Sequence, residues 1–294
     1  MTACKTHELQ RRQADDDATR FLKASLHCER ISLRWEYAAL STAIASAFLP
    51  ILHRDLDGLK VALQFGAVAL IAWFKHRSSL RRKDATILRN EFEYFVFDLF
   101  KPYPTTLDKT DVDSWSDAYD AKPTNSDVSK WFAGKCEPKS LESPPFAEQV
   151  RDAQKESMGF GSDTRRFWGR VVAAICIAIV VSYGILSNGR FTSSPAQVLS
   201  LIAGITIALQ IAAIARTNFK YANSRMDLSD NIDEALIPDG LDYISVASVY
   251  QERINALRKD RPLVPKWVYL IRSSRDKPCP CAIADAADRE ADVG

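Results

Sequence analysis

The sequence predicts an all-α membrane protein with four transmembrane helices, arranged as two hairpins that carry long cytoplasmic helical extensions. The strongest evidence is two apolar runs, Val171–Leu186 and Pro195–Ala215, neither of which contains Asp, Glu, Lys or Arg. As helices these runs extend about 24 and 31 Å, close to the roughly 30 Å hydrocarbon core of a bilayer. The alternative is a hairpin in the core of a soluble protein. Such a hairpin normally shows polar residues at helical spacing on one face, and these runs do not.

The first hairpin is predicted over residues 35–74, after an amphipathic cytoplasmic helix over residues 1–34. Its two apolar runs are Trp35–Leu52 and Leu59–Phe74, and the polar segment between them turns the chain. The N-terminal residues are too polar to form a signal peptide. The second hairpin is predicted over residues 167–215.

Basic residues near the helix ends predict the orientation, because Lys and Arg favour the cytoplasmic side of a membrane. The densest basic cluster follows the second apolar run directly. Near its helix ends, the opposite side carries only Arg54, Lys60 and Arg190. Both termini and the long middle segment are therefore predicted to face the cytoplasm, and only two short turns face outward.

The cytoplasmic parts are predicted as an insertion over residues 75–166, helices over residues 216–271 and a disordered tail over residues 272–294. The second helix has no Gly or Pro between Gly66 and Pro102, so it is expected to continue into the cytoplasm as one rod. Its extension carries an apolar stripe that predicts packing against another helix. The stripe consists of Ile87, Leu88, Phe92, Phe95, Val96 and Leu99.

Further helices are predicted from hydrophobic periodicity and from residues that begin or end helices. Ser162 or Asp163 is expected to cap the helix that enters the second hairpin. The predicted segments are short turns at Val112–Tyr119 and Val128–Phe132, and longer helices at Phe146–Ser157 and Asp242–Lys259.

The composition argues against several functional classes. With 39 Lys and Arg against 37 Asp and Glu, the chain lacks the basic excess typical of proteins that bind nucleic-acid polymers. Its six cysteines show no C-x-x-C spacing, and its four histidines lie in separate segments. It has no phosphate-binding glycine loop and no serine-hydrolase elbow. We therefore predict no enzyme activity, no metal and no cofactor. The aspartates from Asp108 to Asp117 fit a solvated loop better than a calcium site.

The apolar runs lack internal charge, which argues against a coupled transporter. They are rich in small residues such as Ala39, Ala43, Gly204 and Ala208, which permit close packing within one bundle or between the subunits of a homo-oligomer. A conducting path would form between subunits or from polar residues of the fourth helix. Those residues are Gln197, Ser200, Thr206 and Gln210.

Two segments, together with the order of the helices, resemble a known family. Residues 91–101 read EFEYFVFDLFK, with Phe100 and Lys101 in place of an expected Trp-Asn pair. Residues 250–269 contain Gln251, Arg258 and a Val-Pro-Lys-Trp ending in which Lys266 replaces an acidic residue. Over about residues 10–275 the chain resembles the bacterial SMODS-associated four-transmembrane effectors of cyclic-oligonucleotide anti-phage defence.

The resemblance implies an inner-membrane effector that responds to a cyclic nucleotide and compromises the lipid bilayer. Such a ligand requires cations for its phosphates and flat rings for its bases. The alternative roles are interfacial anchoring for the arginines and packing for the tryptophans. The alternative function is a membrane-anchored scaffold that binds a cytoplasmic protein partner. The candidate ligand-binding residues are Lys101, Tyr103, Trp131, Arg165, Arg166 and Trp267.

Overall fold

The structure, a computed structural model, is helical in every regular element that it describes, so the predicted all-α class is confirmed. The described residues are 8–48, 57–100, 106–123, 145–159, 161–187, 195–235, 242–259, 261–262, 264–265, 267–268 and 271. The helices within them are α1 (Glu8–Gln13), α2 (Asp16–Phe48), α3 (Asp57–Val96), α4 (Lys109–Asp120), α5 (Phe146–Gly159), α6 (Ser162–Ser187), α7 (Pro195–Asp233) and α8 (Ile244–Lys259).

Helices α2 and α3 form a long antiparallel hairpin whose register is set by serine hydrogen bonds. The Ser25 hydroxyl donates to the carbonyl oxygen of Ala85 at 2.9 Å, and the hydroxyls of Ser32 and Ser78 lie 2.9 Å apart. Both pairs fit one register, in which every seventh residue of α2 lies level with every seventh residue of α3. All five α2 residues of this series are small and buried, which lets the two backbones approach closely. They are Ala18, Ser25, Ser32, Ala39 and Ser46.

This close approach predicts that Ser78→Leu destabilises the hairpin, whereas Ser79→Leu does not. Ser78 is fully buried and bonds to Ser32, whereas Ser79 is exposed one residue further along the same helix. Overpacking a seam costs about 1–3 kcal/mol, and the lost hydrogen bonds add to that. We expect thermal unfolding in detergent to show a clear fall in Tm for the first variant only. Equal Tm values for the two variants would contradict the register.

Helices α6 and α7 form the second antiparallel hairpin, as predicted. At Gly169, a Cβ atom would lie 3.1 Å from the ring of Phe219, so the glycine allows this close crossing. One apolar cluster joins this hairpin to the first and includes Ile71, Val172 and Ile211. The two hairpins therefore pack as one bundle at this end, with the apolar cluster at its centre.

Several predicted helices are confirmed, although some bounds differ. The predicted turn at Val112–Tyr119 is the three-turn helix α4, and the side chain of Asp108 caps it by accepting from the amide of Thr110. The helix expected at Phe146–Ser157 is α5, and that expected from Asp242 is α8. The turn at Val128–Phe132 and the tail over residues 272–294 lie outside the described residues.

The sequence predicts that the second helix continues until Lys101 and Pro102 stop it, and this predicted end is wrong. Helix α3 ends at Val96, before Pro102 is reached, because Asp98 adopts a left-handed conformation with φ of 55°. The amide of Leu99 then donates to the carbonyl oxygen of Tyr94, and that of Asp98 donates to Phe95. This is the Schellman arrangement, which satisfies helix-end carbonyls when the chain turns away. Aspartate adopts the left-handed conformation more readily than most residues, but an aspartate at this position is not sufficient to predict it.

Within the part of the chain that the structure describes, no helix has a stretch long and apolar enough to cross a membrane. Four membrane-crossing helices therefore stay a prediction. The structure does place many large apolar side chains on the outer surface of α3, α6 and α7, and we call this set the apolar band. Its members are Leu59, Leu63, Phe65, Leu70, Trp73, Ile177, Val180, Val181, Ile202, Ile205 and Leu209.

Candidate functional site

The end of the bundle away from the apolar band contains a buried ionic centre at Glu93. This carboxylate is 1% exposed and lies on the last turn of α3. Its Oε2 accepts from Arg258 Nη1 at 2.5 Å and from Gln251 Nε2 at 2.7 Å, both on α8. Its Oε1 accepts from Arg89 Nε at 3.1 Å, one turn earlier on α3. One carboxylate therefore holds the C-terminal helix against the first hairpin.

The charges around Glu93 keep it ionised. Burial by itself would raise the pKa of this carboxyl group, because the charged form loses hydration. The positive charges of Arg258 and Arg89, together with hydrogen bonds from Arg258 and Gln251, outweigh that effect and lower the pKa to about 2. Glu93 is therefore negative at every physiological pH and acts as a fixed counter-ion.

A chain of amide side chains extends this centre to α5. Gln154 on α5 donates through Nε2 to Gln251 Oε1 at 2.9 Å and accepts through Oε1 from the hydroxyl of Tyr243 at 2.7 Å. Gln251 also donates to Asn255 Oδ1 at 3.0 Å. We call Glu93, Arg89, Arg258, Gln251, Gln154, Tyr243 and Asn255 the Glu93 network. It connects α3, α5 and α8 through buried polar contacts, which are strong because water is excluded from them.

A further arginine, Arg225, meets Arg258 at the C-terminal end of α5. Arg225 on α7 donates through Nε to the carbonyl oxygen of Met158 at 3.0 Å and through Nη2 to that of Ser157. Arg258 donates to the hydroxyl of Ser157 at 3.0 Å. The last carbonyl groups of a helix lack intrahelical donors, and cations satisfy them well. These arginines therefore tie the end of α5 to both α7 and α8.

Arg165, one of the predicted ligand residues, lies in the protein interior. It is 2% exposed, and its Nη1 donates to the carbonyl oxygen of Pro262 at 2.5 Å. Its guanidinium lies 4.8 Å from the centroid of the Tyr221 ring, and that of Arg225 lies 5.6 Å from the same ring. Burial would raise the pKa of the Tyr221 hydroxyl, but these two cations lower it below its ordinary value. Arg165 thus fastens the segment after α8 to the start of α6.

The other predicted ligand residues that the structure describes, Arg166 and Trp267, make contacts of their own. Arg166 points to α7, where its guanidinium donates to Asn223 Oδ1 at 2.9 Å and is partly exposed. Trp267 is 48% exposed, and its ring contacts that of Trp168 edge to face, with centroids 5.6 Å apart. Lys101, Tyr103 and Trp131 lie outside the described residues.

Sequence reasoning did not select Glu93 as a functional residue, although it identified the segment that contains this residue. Glu93 belongs to the segment 91–101 that carried the family resemblance, and Gln251 and Arg258 belong to the segment 250–269. The structure shows that the polar residues of these two distant segments meet in one network. A polar residue embedded in an apolar helix stripe is the signal that points to such a partner, because it is costly to bury alone.

A groove of about 600 Å³ opens beside the end of α3. Its two arginines are already paired, Arg12 with Asp98 at 3.0 Å and Arg11 with Glu8 at 2.7 Å. Since three carboxylates also line it, its charge does not favour a phosphate. The lining residues are Arg11, Arg12, Asp15, Phe21, Glu91, Tyr94, Phe95, Asp98 and Leu99.

Among the described side chains, no three His, Cys, Asp or Glu residues are placed to hold a metal ion. Cys28 and Cys176 are free thiols, and burial raises the pKa of Cys28 to about 12. Because the thiolate is the reactive form, Cys28 is unreactive at neutral pH.

The fold and the buried centre define a class of protein: all-helical, built from two antiparallel hairpins, with an apolar band at one end and an ionic network at the other. The chain belongs to the family described as the SMODS-associating 4TM effector domain, whose model matches residues 7–279.

Two further comparisons complete this picture. Over 62 residues the chain is 39% identical to a glycerol-3-phosphate acyltransferase from Sinorhizobium medicae. The match covers 21% of this chain and 29% of that protein, so the chain spans less than a third of the length of this relative. No solved structure matches the chain.

Proposed function

We propose that this protein is a membrane effector of bacterial anti-phage defence, which responds to a cyclic nucleotide and compromises the inner membrane without catalysing a reaction. Membership of the effector family supports the defence role. The observation that carries the proposal is the division of one continuous bundle into an apolar band and a buried ionic network. This division suits a protein that responds to a ligand in the cytoplasm and acts on the membrane.

The apolar band supports contact with a bilayer. On α3 its residues Leu59, Leu63, Leu70 and Trp73 recur at intervals of three, four and seven, so that they share one helix face. Soluble monomers rarely expose large contiguous apolar patches, and such patches often mark membrane interaction. We propose that these helices cross the inner membrane four times, with both termini in the cytoplasm and the two hairpin turns outside.

Continuous helices provide a route from the ionic network to the membrane. Ile71, in the apolar cluster, and Glu93, in the network, lie on the same helix about 33 Å apart along its axis. A ligand that displaces α8 from Glu93 would therefore act on a helix that continues to its membrane end without any flexible link. We propose that the ligand is a cyclic oligonucleotide and that the effector is a homo-oligomer.

Of the proposed ligand residues that the structure describes, Arg166 is the cation that can meet a phosphate at the surface, without any rearrangement of the protein interior. Its guanidinium is held by the neutral amide of Asn223 and by Asp163 at 3.7 Å. Arg165 is committed to the carbonyl oxygen of Pro262, so its contact with a ligand requires that the segment after α8 be released. The roles of Lys101, Tyr103, Trp131 and Trp267 belong to the same proposal.

The scaffold alternative places a protein partner on the cytoplasmic helices, whose apolar stripes fit both functions. The α3 extension offers this alternative little apolar surface. The structure buries Leu88, Phe92 and Val96 of that stripe completely in the core of this chain. The expectation that the stripe packs against other helices of the chain is thereby confirmed.

We expect cells that produce both this protein and an active cyclic-nucleotide synthase to lose membrane potential and stop growing. A potential-sensitive dye measures the first effect and culture density the second. The control is an inactive synthase, with which the cells keep their potential. Unchanged potential in the presence of the confirmed signal would refute the proposed function.

In the same cells, a periplasm-dependent reporter should be active when inserted at Asn188 and inactive when fused after Gly294.

A further inference from the structure

The interior of the bundle carries polar groups where apolar side chains are expected. The side chain of Gln64 on α3 is fully buried, and neither its amide nitrogen nor its oxygen has a partner among the described residues. Gln210 on α7 also has a buried amide oxygen that lacks a partner within the described part. Buried amide groups without hydrogen bonds are costly, and water or an ion at the site is one way to satisfy them.

Gln64 lies on one side of an apolar constriction, and Gln210 lies beside that constriction on α7. In the register of the α2–α3 hairpin, Gln64 lies level with Ser46, and Ile71, two turns further along, lies level with Ala39. We call Ile71, Ile207 and Ile211 the isoleucine constriction, since all three are almost completely buried in one cluster.

A narrow cavity between α2, α3 and α7 runs alongside Ile71 and reaches Glu36 and Lys75, one turn beyond it on the side away from Gln64. It is lined by Ile71 and Ile211, and by the polar side chains of Glu36, Lys75 and Gln210. Its volume of about 10 Å³ is close to the minimum that holds one water molecule. Glu36 accepts hydrogen bonds from Ser78 and Arg82, so the polar lining continues along the hairpin seam towards the cytoplasmic end.

We propose that the α2–α3–α7 interface is a closed path for small inorganic ions, and that the isoleucine constriction is its gate. This inference rests on the proposed function and specifies its mechanism. An apolar constriction blocks ions because it excludes water, and widening it or making it polar allows water to enter. The path lies inside one protomer, between polar groups that are already present on both sides of the gate. The sequence had suggested a path between subunits or along α7 alone.

The gate predicts a constitutive leak from a conservative change. Ile71→Thr keeps the β-branch but replaces its ethyl group with a hydroxyl group, whereas Ala72→Thr introduces a hydroxyl group at the exposed next residue. We expect Ile71→Thr to raise the leak of potassium ions from phosphatidylethanolamine–phosphatidylglycerol vesicles about tenfold without any signal, equivalent to about 1.4 kcal/mol in hydrating the constriction. Ile207→Thr should act alike, and Ala72→Thr should leak like the wild-type protein.

A path of this width passes ions but retains a large dye. Vesicles that hold both potassium and calcein should therefore lose potassium only. If folded Ile71→Thr and Ile207→Thr variants leak no more than the wild-type protein, or if Ala72→Thr leaks equally, the gate is refuted. Release of calcein in step with potassium would likewise refute it in favour of general membrane disruption.

Gln64→Leu tests the same path with a variant that removes two unpartnered polar atoms and is therefore expected to be more stable. In cells that receive the signal, it should depolarise the membrane several-fold more slowly than the wild-type protein. If the wild-type protein depolarises the membrane and Gln64→Leu does so at the same rate, the gate is refuted but the proposed function is intact. Absence of depolarisation by the wild-type protein overturns the proposed function itself.

Discussion

Replacement of Glu93 with glutamine is expected to destabilise the protein by about 3–5 kcal/mol, the usual cost of removing one partner of a buried ion pair. Glutamine has nearly the same shape, but it leaves Arg258 and Arg89 buried without the carboxylate that pairs with them. Its amide nitrogen is also a donor, and it would face donors from Arg258 or Arg89. We expect a fall in Tm of roughly 10 °C in detergent.

The control for this variant is Glu252→Gln, which removes the same charge from an exposed position of α8. Its Tm should stay within about 1–2 °C of the wild-type value, because surface charges contribute little. If the two variants unfold at the same temperature, the Glu93 network does not hold α8 in place. Exchange of α8 amide hydrogens with solvent should rise in Glu93→Gln and not in the control.

The same variant predicts a pH dependence with a definite sign. The pKa of Glu93 is lower in the folded protein, at about 2, than its ordinary value of 4.5. The unfolded chain therefore binds the proton more tightly, and the stability from this group is complete above pH 4.5. It is lost as the pH falls from about 4.5 towards 2. The stability difference between the wild-type protein and Glu93→Gln should shrink across this window, as measured by urea unfolding at each pH.

Substitutions of the adjacent residues Arg165 and Arg166 are expected to separate a structural role from a surface role. Arg165→Met should cost about 2–3 kcal/mol, because it removes a charge-assisted hydrogen bond to Pro262 and a buried contact with the Tyr221 ring. Methionine retains the apolar stem, so the loss reports the guanidinium group. Arg166→Met should cost less than about 1 kcal/mol, since its partner Asn223 is reached at the surface.

Thermal unfolding compares the two variants, and amide exchange around Pro262 gives a readout specific to Arg165. We expect faster exchange there in Arg165→Met alone. Equal stability of the two variants would show that the segment after α8 is held by its apolar residues Val264 and Val268 without help from Arg165. Under the proposed function, Arg166→Met should instead weaken the response to the signal while leaving Tm unchanged.

Most helices of this chain were predictable because their signals are local. The stripe that includes Leu88, Phe92 and Val96 shows the helical period, and the structure buries these residues as expected. The end of α3 was not predictable, since the left-handed turn at Asp98 depends on where the chain goes next. The candidate site was predicted only in part. The two segments that contain it were identified, but Glu93 was not among the ligand residues predicted from them.

The small residues of α2 predict close packing, and their spacing specifies where it occurs. The repeat of small residues at every seventh position from Ala18 to Ser46, which includes Ala39, marks a close antiparallel seam. This signal is present in the sequence. Its partner residues on α3 become clear only from the register set by Ser25 and Ser32.

The sequence by itself determined the helical class and the family, because hydrophobic periodicity and ordered motifs are properties of neighbouring residues. Tertiary structure alone decided that Glu93 meets Gln251 and Arg258, which lie 158 and 165 residues away along the chain. It also decided the roles of Arg165 and Arg166, which have the same chemistry in the sequence. Successive residues of a helix point about 100° apart, so one faces the carbonyl of Pro262 and the other faces the surface.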